Sequence, residues 1–156
     1  MTVSFFGHSN FLGDKSYEDK MLSIIEDSVG GGEVSFLLGN YGAFDNFAYE
    51  CCKKYKYKHQ SATLVFVTPY ISEGYRSRLE HAAADYDVIA YPPIENRPYK
   101  FAIHYRNRYI VDNSDLVICY LTKHYGGAYE AVKYALGRGR KVINMAETEL
   151  PTKEPG

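Results

Sequence analysis

Residues 116–145 read LVICYLTKHYGGAYEAVKYALGRGRKVINM and carry the pattern that sets the fold. Leu116 to Leu121 is an uncharged run rich in β-branched and apolar residues, the composition of a strand buried on both faces. A polar connection ends in Gly126-Gly127, and from Gly127 to Gly137 the apolar residues return at helical spacing. Val142 to Met145 is apolar again and predicts a second strand. A helix between two strands carries the chain back to the edge where it began, so the strands lie parallel.

The same alternation continues toward the N-terminus. Val3 to Phe6, Val34 to Leu38, Thr63 to Thr68 and Val88 to Ala90 predict strands. Tyr17 to Ser28 places Met21, Leu22, Ile24 and Ile25 at amphipathic spacing, and Gly30, Gly31 and Gly32 stop that helix. Phe44 to Tyr55, Glu73 to Ala84 and Phe101 to Asn113 complete the predicted helices. The expected architecture is α/β: a single Rossmann-like three-layer domain with a mainly parallel sheet of about six strands. It spans residues 1–147, and 148–156 form a flexible tail; Tyr91 to Pro98 is the one Pro-rich connection, and no internal repeat is found.

A length of 156 residues suits one domain, and 46% hydrophobic with 24% charged residues excludes a disordered or collagen-like chain. The formal net charge is −1, from 18 basic and 19 acidic residues. Nucleic-acid binders usually show a basic excess, so nucleic acid is not an expected partner. The basic, aromatic segment KKYKYKH, Lys53 to His59, is better explained as a solvated helix end beside the negative dipole pole than as a single-strand platform. No apolar run approaches the roughly 18 residues of a membrane helix, so no membrane partner is expected. The opening MTVSFFGHSN lacks the basic start of a signal peptide, and a cytoplasmic location follows. Cys51, Cys52 and Cys119 make an odd count and no disulfide framework. His8, His59, His81, His104 and His124 lack metal-ligand spacing, so neither a metal nor a cofactor is implied. Of the 16 tyrosines, most are expected at core edges and some against a ligand or partner.

Ligands of such sheets bind beyond the carboxyl ends of the strands, where strand order reverses, and four segments of this chain sit there. Gly7-His8-Ser9-Asn10 combines a glycine that allows close backbone approach with polar side chains; a plain turn explains it equally well. Gly39-Asn40-Tyr41-Gly42-Ala43-Phe44-Asp45 carries two glycines before a helix, where backbone N–H groups hold anions. Asp45 suits a ribose hydroxyl, although taken singly a dipole contact in the first helical turn is the commoner role. Arg106 falls three residues after Ile103 and four before Ile110, which places it beside the apolar stripe of its helix. A guanidinium there needs an anion, either a structural carboxylate or a ligand phosphate; Asn107 is undecided, and Arg108 points elsewhere. Gly126 and Gly127 form a second helix start, with Glu130 in its first turn. Glu130 either gains about 0.3–1 kcal/mol from the helix dipole or meets the hydroxyls of a ribose.

The loop GNYGAFDNFAYE resembles the "GGALGFDxxAAE" segment of the YpsA-like branch of the SLOG superfamily. That Rossmann-type group includes the Lonely Guy phosphoribohydrolases and the DNA-processing protein A family. FFGHSN is similar to the branch's strand followed by "TGHR". RN-RYIVDNSDLVICYL, with YGGAYEAVKYALGRGRKVINM, resembles the arginine, "AD" and "GG-xx-E" pattern of the group. The likeness runs from Val3 to Met145, except for Ser72 to Tyr99. It implies a ligand loop at Gly39, Gly42 and Asp45, and a catalytic pair of Arg106 and Glu130 that splits a nucleoside 5'-monophosphate into base and ribose 5-phosphate. It also implies a homodimer. The departures are Lys123-His124-Tyr125 in place of Pro-Gly-Gly, Gly127 in place of Thr, and Asn107 in place of Lys; they touch turnover more than binding.

The expected function is therefore binding of a nucleotide or nucleotide-derived small molecule at the carboxyl edge of the sheet, as a sensor or nucleotide-processing protein. The candidate ligand contacts are Gly7, His8, Ser9, Gly39, Asn40, Gly42, Asp45, Asn107, Gly126 and Gly127, with Arg106 and Glu130 as the pair for chemistry. The alternatives are cleavage of the N-glycosidic bond and, from another class, a protein that binds a partner or single-stranded DNA.

Overall fold

A computed structural model of the chain describes residues 1–39, 42–69, 79, 84–94, 98–146 and 150. Six strands, β1 (Thr2–Gly7), β2 (Val34–Leu38), β3 (Ala62–Val67), β4 (Val88–Ala90), β5 (Leu116–Tyr120) and β6 (Lys141–Asn144), form one sheet in the order β4-β3-β2-β1-β5-β6. Every pairing is parallel. Four helices connect them: α1 (Lys15–Val29), α2 (Ala43–Lys58), α3 (Ala102–Asp112) and α4 (Gly127–Gly137), with a 3-10 turn at Tyr99–Phe101 before α3.

The strands alternate between two apolar faces, as period-2 geometry requires. Val3, Phe5, Phe36, Leu38, Leu64 and Ile118 face α1 and α2, meeting Met21, Ile25, Phe44, Ala48 and Cys52. Phe6, Leu37, Val65, Val67, Val117 and Cys119 face α3 and α4, meeting Ile110, Val111, Ala131, Val132 and Ala135. Both faces of the sheet are thus covered, which gives the three layers. The near-continuous apolar character of β1 and β5 follows from it.

Element ends follow local chemistry. α1 starts two residues earlier than expected because the Asp14 side chain accepts a hydrogen bond from the Tyr17 N–H, and it ends on Gly30 at φ 66°. α2 runs on to Lys58, since Lys and Tyr continue a helix without strain. The expected helix Glu73 to Ala84 falls mostly outside the described residues; Leu79 within it is buried against Phe66. Most of the expected tail also lies outside them, though Leu150 packs partly against the α3–α4 core.

Candidate ligand site at the carboxyl edge of the sheet

The chain adds β2, β3 and β4 to one side of β1, then crosses to its other side for β5 and β6. The connections after β1 and β5 therefore leave the sheet in opposite directions and open a crevice between them. A cavity of about 360 Å³ lies there, within the range of small-ligand sites. Gly7, His8, Ser9 and Asn10 reach it from the β1 connection, Gly39 from β2 and Asp45 from the first turn of α2. Ile103, Arg106 and Asn107 reach it from α3, and Lys123, Tyr125, Gly126 and Gly127 from the β5 connection.

Arg106 is 3% exposed, as its place between Ile103 and Ile110 requires. Its Nη1 donates to the Gly39 carbonyl at 2.8 Å and the Val67 carbonyl at 3.1 Å, and its Nε donates to Asn107 Oδ1 at 3.0 Å. These three acceptors, two backbone carbonyls and a side-chain amide, fix the orientation of the guanidinium. The two carbonyls sit at the carboxyl ends of β2 and β3, and one side chain thereby ties two strand ends to α3. The close approach depends on Gly39, where a Cβ would lie 2.9 Å from Nη1.

Both helix starts at this edge are entered through a glycine in the left-handed half of φ space, Gly42 at φ 102° before α2 and Gly126 at φ 98° before α4. Neither offers a capping side chain, so first-turn N–H groups are left to other acceptors. Gly42 does not line the cavity; a Cβ there would sit 3.0 Å from Ser9 Cα, and the Ala43 N–H donates to the Ser9 carbonyl. Gly42 thus brings the β1 and β2 connections together. Gly7 has a similar double role: it lines the cavity, and the space its missing Cβ leaves is occupied by the Phe44 ring.

His8 Nε2 accepts from the Thr122 N–H at 3.0 Å, which joins the β1 and β5 connections across the crevice. That bond assigns the ring proton to Nδ1 in the neutral form. Partial burial, and then the nearby Lys123 charge, hold the His8 pKa below its ordinary value. The ring is therefore an uncharged N–H donor in the cavity wall at neutral pH.

One exposed aromatic ring, Tyr125, stands beside a cation in the cavity lining, and a similar pair, Phe101 and Lys100, stands at the start of α3. Lys123 Nζ lies 5.8 Å from the centre of the Tyr125 ring, and Lys100 Nζ lies 5.1 Å from that of Phe101, two residues before Ile103. Tyr125 is 68% and Phe101 46% exposed. Lys123 is an addition to the expected contacts, and its signal in the sequence is the Lys123-His124-Tyr125 departure itself.

Glu130 is not in the cavity. It is exposed and lines a neighbouring groove between α3 and α4, because residues 127, 130, 131 and 134 form one helical stripe that runs away from the mouth. Asn40 lies outside the described residues. Elsewhere, the lysines of KKYKYKH are largely engaged: Lys54 pairs with Glu18, Lys56 with Asp87, and Lys53 lies over the Tyr49 ring. They sit at the end of α2 opposite the crevice. Cys51, Cys52 and Cys119 are buried and free, and burial pushes the Cys51 and Cys119 thiols up to about 12. Among the described residues no group of three or more His, Cys, Asp or Glu side chains could hold a metal ion. No helix there is long and apolar enough to cross a membrane.

No protein-family model matches the chain, and no curated protein matches it significantly. Solved structures do. DNA processing protein A from Streptococcus pneumoniae superposes with a TM-score of 0.64 at 18% identity, covering 96% of this chain and 51% of the other. DNA processing protein A from Helicobacter pylori superposes with a TM-score of 0.61 at 15% identity, covering 91% of this chain and 63% of the other; its structure was described for a single-stranded DNA binding mode. The chain spans about half the length of the first and under two thirds of the second. The expectation that nucleic acid is not a partner is corrected by this finding. Net charge averages over the whole surface, whereas a single strand answers to the few cations at its own site. At these identities the superpositions show the fold alone, and the chain has the Rossmann-like fold of the DNA processing protein A structures.

Proposed function

We propose that the chain binds single-stranded DNA by seating one nucleotide unit in the crevice between the β1 and β5 connections. The observation that carries this reading is the buried Arg106 in the cavity wall, held at the ends of β2 and β3, with the α4 start lining the same cavity. A phosphate there meets the positive charge of the guanidinium and uncapped N–H groups together. Two further features favour a strand over an isolated ion. Tyr125 offers an exposed stacking face in the cavity lining with Lys123 beside it, the combination that holds single strands without sequence readout. The neighbouring structure described for its single-stranded DNA binding mode has the same fold. Within that fold group, the loop containing Gly39, Gly42 and Asp45 is the reason to set the chain beside the YpsA-like branch.

A free nucleotide or nucleotide derivative in the same cavity is the second reading, favoured by the cavity volume and by Asp45, an acceptor for a sugar hydroxyl or base amino group. Cleavage of the N-glycosidic bond gains less support, because Glu130 stands outside the cavity.

Fluorescence anisotropy with a labelled thymidine oligonucleotide tests the proposal. Binding should weaken as salt rises, should be competed by an excess of nucleoside monophosphate, and should fall at least tenfold in Arg106→Lys and in the exposed Lys123→Glu. Absence of binding at low salt, or binding that both variants leave unchanged, overturns it.

A further inference from the structure

We infer that the groove between α3 and α4 is a second nucleotide subsite, occupied by the next unit of a strand whose first unit sits in the crevice. The inference rests on the single-strand reading above and extends it to a region that reading does not use. The groove holds about 400 Å³ and shares Ile103, Asn107 and Gly127 with the crevice, so a ligand passes from one to the other along a common wall.

Its chemistry is that of a nucleotide rather than of an apolar segment. Ala131 and Gly127 leave a shallow floor, and Tyr134 supplies an aromatic wall whose hydroxyl donates to Asp112, fixing the ring. The Arg108 guanidinium lies 4.9 Å from the centre of that ring, and no ion pair joins it to an acid among the described residues. The Arg138 guanidinium lies 5.7 Å from the same centre but is tied to Asp112, so Arg108 is the cation over the ring with N–H groups for an anion. Lys133, which has an interaction of its own, adds a second positive charge on α4, and His104 lines the groove from α3. Glu130 is the one carboxylate in the lining, an acceptor suited to the amino edge of a base. Two permanent cations, one acceptor and one ring therefore line a groove that continues a site already suited to one nucleotide.

The test compares a thymidine monophosphate, a dinucleotide and a longer thymidine oligonucleotide on the parent chain, Arg108→Gln and Lys133→Gln, with far-UV circular dichroism as the folding control. In the parent, affinity should rise by about tenfold or more from one unit to two. Each variant should lose most of that gain, lower the salt slope of oligonucleotide binding by about one, and keep the mononucleotide affinity. Three results overturn the inference: a parent whose affinity ignores length, variants that bind every ligand like the parent, or competition by an acidic peptide for Arg108 and Lys133 without any effect on the oligonucleotide. A parent that binds the mononucleotide but shows no gain with length sinks the second subsite alone. A parent that binds neither sinks the single-strand reading with it.

Discussion

Replacing Arg106 by alanine removes its hydrogen bonds to Gly39, Val67 and Asn107 together with a buried aliphatic stem. The Val67 carbonyl sits on a residue with no exposure, so losing its donor leaves a buried acceptor unsatisfied. That loss costs about 1–3 kcal/mol. The Gly39 carbonyl borders the cavity, where water replaces the guanidinium at smaller cost. The stem's methylenes contribute about 0.8 kcal/mol each through burial. Against this, the variant no longer desolvates a guanidinium, which returns part of the loss. A net destabilisation of about 2–4 kcal/mol follows, and at about 2–4 °C per kcal/mol for a chain of this size Tm should fall by roughly 5–15 °C. Urea unfolding followed by far-UV circular dichroism measures the first, and calorimetry the second. Arg106→Lys keeps the charge but not the fork, and should fall between parent and alanine variant. If Arg106→Ala unfolds within about 0.5 kcal/mol of the parent, the ordinary range for an exposed position, the arginine does not tie the strand ends and the site's geometry is wrong.

Three other perturbations read different parts of the site. Gly7→Ala places a Cβ 2.2 Å from Phe44 Cγ, and because Phe44 is fully buried the overpacking should cost about 1–3 kcal/mol in denaturant titrations; unchanged stability would mean the ring is free to move. His8 should titrate below its ordinary value of about 6.5, by NMR of the imidazole carbons. Because the folded state holds the neutral ring, the stability it contributes is present above that ordinary value and lost as pH falls through the folded one. Protection of the Thr122 amide from exchange should fall in the same window, and a midpoint at or above the ordinary value contradicts the His8–Thr122 bond. All three thiols should react with a disulfide reagent only on unfolding, since burial both hides them and raises their pKa. Rapid labelling of any of them in the native protein refutes their placement.

What the chain determined locally was legible in advance. Uncharged runs such as Leu116 to Leu121, and helices bounded by Gly30 or Gly126, depend on neighbours in sequence, so the parallel α/β architecture follows from periodicity alone. So does the burial of Arg106, because Ile103 and Ile110 fix which way its helix face turns. What Arg106 meets was not legible. Its carbonyl partners stand 67 and 39 residues away, and only the order of strands in the sheet brings the ends of β2 and β3 beneath α3. The same limit explains Glu130: its place in the first turn of α4 was read correctly, but the rotation of that helix, set by Ala131, Val132 and Ala135 packing on the sheet, turns it into the groove and away from the crevice. Net charge, a sum over the sequence, likewise carried no information about the placing of Lys123 in the crevice and Arg108 in the groove, because position on a surface is settled by long-range packing.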